Sequence, residues 1–396
     1  MNSKDLINLE QKFGAHNYHP LDVVITRGKG VWVWDVEGKK YLDFLAAYSA
    51  LNQGHCHPRL VEAVKTQIEK LTLTSRAFRN DQLALFYQTV NELTGFEAIL
   101  PMNSGAEAVE TAIKVVRKWG YMKKGVPTDK AKIIVSENNF HGRTTTIISF
   151  SSEQSYRKGF GPFTPGFEII PFGDIDALRN CIDENTVAFL TEPIQGESGI
   201  IIPPTGFLKE AFQLCRQNEV LLILDEIQSG LGRTGKMFAY QHELEIEPDG
   251  VIIGKALSGG MYPVSAFLSN WEVMEVIKPG EHGSTFGGNP LAAVIAQEAL
   301  KILVDEKLIE NSAQMGEYLL DQLKQMNINS LKEIRGKGLW IGIELDHPVR
   351  KEAEKLMDKG ILCKETHENT LRIAPPLIIN KQEIDWALDK INTVLV

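Results

Sequence analysis

The sequence predicts an α/β protein with a large, mainly parallel-sheet domain and a smaller α+β domain. Three observations predict it. From residue 132 onward, short and nearly continuous apolar runs alternate with helical stretches, at residues 132–136, 187–191, 220–224, 251–253 and 264–268. Strands that are apolar on both faces belong in a sheet covered by helices on both sides, which favours parallel pairing. Past Pro290 the pattern changes to amphipathic stretches at 291–304 and 312–326, an imperfectly alternating run at 339–345, a short edge strand beginning at Leu371 and closed by Pro375 and Pro376, and a final helix over 382–394. The chain of 396 residues is long enough for this division. The expected boundaries are 1–48 for an N-terminal arm and hairpin that join the smaller domain, 49–288 for the large domain and 289–396 for the C-terminal part.

Composition narrows the function classes. With 43% apolar and 23% charged residues the chain is an ordinary globular one. The 42 basic and 51 acidic residues give a net charge of −9, which argues against nucleic acid as a partner. Cys56, Cys181, Cys215 and Cys363 have neither metal-ligand nor redox spacing, which fits a reducing compartment. The first residues lack the apolar core of a signal peptide, and no apolar run is long enough to span a bilayer. The expectation is a cytoplasmic protein with no membrane partner and no metal.

In chain order, the polar residues 1–20 read as an arm that is at least partly ordered. Residues 31–35 and 41–44, with Gly38 between them, read as a β-hairpin. His55 and His57 lie in a loop without a third ligand nearby, so solvated histidines are expected there rather than a metal site. Ser104 and Glu107 have capping-box spacing ahead of the apolar stripe Val109, Ala112, Ile113 and Val116. The free N–H groups of such a helix start can hold a phosphate. An ordinary capped helix is the alternative, and the charge of Glu107 suits a phosphate only if it turns back to the cap.

Arg143, Glu197, Asp225 and Lys255 all follow strand ends. Parallel sheets bind ligands at that edge. Lys255 ends an apolar strand, where desolvation disfavours its ammonium form and prepares a neutral amine for Schiff-base chemistry. A strand-end lysine whose head reaches water is the alternative. Gly230-Leu-Gly232-Arg-Thr-Gly235, with Asp249 downstream, matches the dinucleotide fingerprint. In that motif the glycine follows its strand directly, whereas here Asp225-Glu-Ile-Gln-Ser intervenes. Asp225 suits a different cofactor. Pyridoxal phosphate (PLP) needs a lysine for its aldehyde, a carboxylate for its pyridine nitrogen and a phosphate cradle. Lys255, Asp225 and the helix start from Asn103 to Ala106 supply one of each.

The joint pattern Asp225-Glu-Ile-Gln-Ser-Gly-Leu-Gly-Arg-Thr-Gly235, then Gly-Lys255-Ala-Leu-Ser-Gly-Gly, resembles the class III PLP-dependent aminotransferases. The resemblance runs from Trp34-Asp-Val-Glu-Gly-Lys-Lys-Tyr-Leu-Asp43 to Leu371-Arg-Ile-Ala-Pro-Pro376. It implies the aspartate aminotransferase-type fold (fold type I), a covalent Schiff base of PLP on Lys255, and a homodimer with shared active sites. It implies that Ser104, Gly105 and Ala106 hold the phosphate, with Thr285 reaching across to the partner's. Phe140 and Ile227 would sandwich the ring, Asp225 would hold its nitrogen, and Gln228 would sit near O3′ or the phosphate.

Within the class, Phe13-Gly-Ala-His-Asn-Tyr18-His-Pro resembles members whose donor is L-ornithine and whose acceptor is 2-oxoglutarate. The resemblance implies that Tyr18 receives the substrate α-amino group and Arg143 its α-carboxylate, as suits a guanidinium fork. Tyr48 would line the channel. Glu197 would mask Arg372 in the donor half-reaction and release it to 2-oxoglutarate in the other; a fixed structural ion pair is the alternative. N-Acetylornithine and 4-aminobutyrate are the alternative donors. His141 stands where some members carry tryptophan, which leaves its role open.

Overall fold

The computed structural model describes every residue except Leu244. The polar arm contains a helix, Ser3–Phe13, started by a reciprocal cap between Asn2 and Asp5. None of its residues is buried, and the backbone N–H of Ser3 ties it to Glu37 by donating a hydrogen bond of 2.8 Å to Oε1. The hairpin follows as three antiparallel strands, β1 (Ile25–Lys29), β2 (Trp32–Asp35) and β3 (Lys40–Asp43). Cations cover its half-buried indoles: Arg27 lies 4.2 Å from the Trp34 ring centre and Lys40 3.6 Å from that of Trp32.

The central sheet has seven strands: β4 (Ala98–Met102), β5 (Lys132–Ser136), β6 (Phe167–Ile170), β7 (Thr186–Thr191), β8 (Leu221–Asp225), β9 (Gly250–Ile253) and β10 (Ser265–Ser269). Their order is β4-β10-β9-β8-β7-β5-β6. Every residue of β7, β8, β9 and β10 is buried, as their continuous apolar runs demand. The neighbours from β9 to β6 pair in parallel, whereas β10 is antiparallel to both β9 and β4. The sheet is therefore mixed, though mainly parallel. The connection from β9 to β10 is too short for the crossover that parallel pairing needs. The C-terminal ends of β4, β5, β7, β8 and β9 share one edge, and the predicted site residues follow those ends.

The C-terminal part contributes β11 (Leu331–Lys337), β12 (Trp340–Leu345), β13 (Ile361–Leu362), β14 (Lys364–Thr366) and β15 (Thr370–Ile373). β13 pairs in parallel with β3, which places a C-terminal strand in the sheet of the N-terminal hairpin. The expected edge strand at Leu371 lies inside its sheet instead. β15 has β12 on one side and β14 on the other. Pro375 and Pro376 come after its last paired residue and cost it no ladder hydrogen bond.

Arg233 joins these parts. It exposes no surface, and its guanidinium donates to the carbonyls of Leu339 (2.9 Å) and Pro375 (2.6 Å) and to Asn52 Oδ1 (2.5 Å). The glycines around it let the 230–235 loop press against neighbouring helices: a Cβ on Gly235 would lie 2.9 Å from Ala313 Cα. No helix starts at this loop, and Asp249 Oδ2 accepts from the amide of Leu222 at 2.8 Å. The glycine pattern is thus a packing device and not a dinucleotide site.

Replacing Arg233 by methionine should fill the space while leaving buried acceptors unpaired. We expect the Arg233→Met protein to lose about 3 kcal/mol of stability in urea unfolding of the purified protein. Unchanged stability would contradict the role given to this guanidinium.

Candidate active site

The lysine comes first because three adjoining hollows meet at it. One is a cavity of about 200 Å³ between Phe140 and Ile227, another a channel of about 820 Å³ reaching Tyr18, and the third a hollow of about 360 Å³ at Ser104 and Gly105; Lys255 lines all three. β9 ends at Ile253, and Lys255 opens a short 3-10 turn with its own φ at 42°. Desolvation lowers its pKa, and the fields of Glu197 and Asp225 offset this only in part. A neutral amine is thereby brought closer to physiological pH. The residue is half-buried and faces the hollows, so its head meets the interior of the cleft and not the outer surface.

Asp225 ends β8 opposite the lysine and is 5% exposed. Its Oδ1 accepts from the amide of Ile227 at 3.0 Å, and its Oδ2 lies 2.7 Å from His141 Nδ1. His141 is therefore the direct partner of the aspartate. Burial pulls the imidazole pKa down, but the hydrogen bond and the charge of Asp225 outweigh it and raise the pKa overall. Glu192, at the end of β7, accepts from the amides of Phe140 (3.0 Å) and Gly196 (3.4 Å). Burial first, with Asp225 adding, pushes its carboxyl to about 7 despite the opposing His141. Sequence reasoning missed both links. Their one signal was placement after strand ends, because burial is invisible along the chain.

At the other end of the cavity, the helix Gly105–Trp119 begins at the N-cap Ser104. Glu107 folds back onto that cap and accepts from the amides of Ser104 (2.7 Å) and Asn103 (3.2 Å). Burial alone would raise its pKa, but these bonds lower it overall. Its charge is thus absorbed by the cap, and the amides of Gly105 and Ala106 stay available to an anion. Gly105 leaves just enough room, since a Cβ there would lie 2.9 Å from Ile227 Cδ1.

The chemistry of this donor set fits PLP. A flat slot runs between Phe140 and Ile227, a buried carboxylate stands at one end, a helix start at the other, and a desolvated amine at the side. Gln228 closes the slot, with Nε2 3.3 Å from the Tyr48 carbonyl and 3.5 Å from Glu197 Oε1.

The channel carries the remaining residues. Tyr18 is 70% exposed at its mouth. Arg143 is exposed and its guanidinium lies over Tyr156, 4.2 Å from the ring centre, with no carboxylate partner among the described residues. Tyr156 was not foreseen in this place. Arg372, 1% exposed, donates to Glu197 Oε1 at 2.8 Å and to the carbonyl of Gly196 at 2.9 Å. Burial raises the Glu197 pKa, but Arg372 outweighs it and lowers the pKa overall. Tyr48 lies beside this pair, its ring centre 5.5 Å from the Arg372 guanidinium. Thr285 is the exception: it is exposed and lines none of these hollows. The loop histidines are not simply solvated either, because His55 meets Asp43 at 2.7 Å and His57 meets Glu306 at 3.1 Å.

Comparison with known proteins agrees with this geometry. Residues 13–395 match the family described as Aminotransferase class-III. An ornithine aminotransferase of Brevibacillus brevis is 59% identical over 99% of each chain, and one of Halalkalibacterium halodurans is 56% identical over 98% of each. Among solved structures, an ornithine aminotransferase of Toxoplasma gondii, described with PLP partially occupying its active site, superposes with a TM-score of 0.98 at 45% identity, covering 100% of this chain and 94% of that one. An acetylornithine aminotransferase of Elizabethkingia anophelis gives 0.91 at 48% identity, covering 100% and 99%. The chain belongs to the class III aminotransferases.

Proposed function

We propose that this protein is an ornithine δ-aminotransferase, which moves the δ-amino group of L-ornithine to 2-oxoglutarate and yields glutamate 5-semialdehyde and L-glutamate. One observation carries the reading. Two guanidiniums serve the channel, and they are in different states. Arg143 is exposed without a carboxylate partner among the described residues, whereas Arg372 is buried under Glu197. A donor entering this channel finds one free fork for its α-carboxylate. Tyr18 at the mouth would take the α-amino group. The distal amine is then the one left to face Lys255.

When bound, PLP supplies an aldehyde that captures amines and a ring that accepts electrons from the adjoining carbon. Lys255 would hold it covalently, and Gly105 and Ala106 would bind its phosphate through their amides. Phe140 and Ile227 would keep its ring flat. Asp225, charged and fixed by His141, would hold a proton at its pyridine nitrogen. The amine of Lys255, where the hollows meet, would also move the proton at Cδ of ornithine as a general base. Glu197 keeps Arg372 closed to the monocarboxylate donor. Moving away would open Arg372 to the dicarboxylate 2-oxoglutarate. Thr285, exposed in the single chain, would serve the phosphate of a second copy in a homodimer.

The second reading takes N-acetylornithine as donor. The likeness to the Elizabethkingia anophelis acetylornithine aminotransferase favours it. That donor has its α-amino group blocked, which would leave Tyr18 without a partner.

Lys255→Ala should abolish turnover and remove the near-visible absorbance of a lysine-bound cofactor; normal turnover would end the mechanism. Offered separately, ornithine, N-acetylornithine and 4-aminobutyrate should rank with ornithine first. Tyr18→Phe should cut kcat/KM for ornithine by roughly tenfold, the value of one lost hydrogen bond to a charged group. A strong preference for N-acetylornithine would replace the substrate assignment. Glu197→Gln should weaken the cover on Arg372, lowering kcat/KM for ornithine while raising that for L-glutamate by about tenfold or more. Equal effects on both donors would make the ion pair merely structural.

A further inference from the structure

Tyr48 stands on unusual backbone. Ala46, Ala47, Tyr48 and Ser49 have φ values of 47°, 48°, 59° and 71°. Four consecutive non-glycine residues thus form one left-handed turn, a conformation that single residues visit and runs avoid. Such backbone persists only where its surroundings impose it. Here the surroundings are identifiable. Asp43, the last residue of β3, receives the amides of Leu45 and Ala46 on Oδ1, both at 2.9 Å. Its Oδ2 meets His55 Nε2 at 2.7 Å. His55 is locked in turn, since its backbone exchanges hydrogen bonds with Gly30 at 3.0 and 2.7 Å. Asp43 is 7% exposed, so its charge has little water to turn to.

The turn serves the acceptor end of the channel. The carbonyl of Tyr48 receives Gln228 Nε2, and the same amide group reaches Glu197. The Tyr48 ring lies against Arg372. Three groups around the covered guanidinium therefore depend on the position of one strained segment. Neither Asp43 nor His55 lines the hollows at Lys255.

We propose that Asp43 and His55 are a positioning pair for the acceptor half-reaction: they hold residues 46–49 in the left-handed turn that sets Tyr48 against Arg372 and Gln228. The inference rests on the reading of Arg372 as the acceptor's site. Dicarboxylate binding at Arg372 should depend on the pair, while donor binding at Arg143 and Tyr18 should not.

The test uses the holoenzyme. In Asp43→Ala the KM for 2-oxoglutarate and the Kd for glutarate, a non-reacting dicarboxylate, should both rise by about tenfold, as expected for a misplaced binding group. The single-turnover rate with ornithine should stay within about twofold. Adding Ala47→Gly lets a glycine take the left-handed backbone without the pair's help, and should restore much of the glutarate affinity. Asp43→Asn keeps the Oδ1 acceptor and should stay near the parent. If Asp43→Ala proves insoluble, His55→Ala carries the test with an expected rise of about threefold, reflecting loss of one supporting hydrogen bond. Unchanged glutarate affinity in the soluble variant overturns the proposal. So does an equal loss in the ornithine turnover. Failure of the parent enzyme to turn over ornithine would instead remove the functional reading itself.

Discussion

Opposite charges held out of water are the constraint on which this molecule depends. Lys255 and Asp225 stand at the ends of neighbouring strands, at the inner end of a cleft where Asp225 is buried and Lys255 half-buried. Unpaired charges in such a place are costly, so each is given a partner or allowed to be neutral. Asp225 has His141 and the Ile227 amide. Lys255 has only the fields of carboxylates around it, which leaves its amine available for covalent chemistry. The sheet exists, in functional terms, to bring these two strand ends together. Its buried strands leave no water to satisfy misplaced charge.

The same logic extends outward from the cleft. Glu192 takes two amides and a raised pKa, so it can remain near the His141–Asp225 pair without adding a full negative charge at neutral pH. Glu107 spends its charge on the helix cap and leaves two free amides beside the slot. Glu197 and Arg372 neutralise one another at the channel wall. Arg143 is left exposed on an aromatic face, with no carboxylate partner among the described residues. Selectivity follows from which of these charges is covered and which is open.

Much of the site was legible in the chain because chemistry and strand ends coincide. Lys255, Asp225, Arg143 and Glu197 each follow an apolar run, and Ser104 with Glu107 spells its own cap. The structure brings all of them to one edge. What was less legible depended on distance in sequence. His141 and Asp225 are far apart in the chain, and a histidine beside a phenylalanine looks the same whether it is buried or solvated. The prolines after Ile373 suggested an edge strand, yet they lie beyond the pairing and leave both sides of β15 occupied. The glycine pattern at 230–235 resembled a nucleotide loop until Arg233 was seen to be enclosed within it.

The sequence by itself determined the class of chemistry, because a lysine, an aspartate and a capped helix start at strand ends suit few cofactors other than PLP. It also determined the alternation of strands and helices, because apolar periodicity reflects burial directly. Only the tertiary structure decided which partner stabilises Asp225, and that Arg372 is covered while Arg143 is open. Those are pairings between distant segments, set by packing and charge neutralisation in three dimensions, and no local pattern along the chain encodes them.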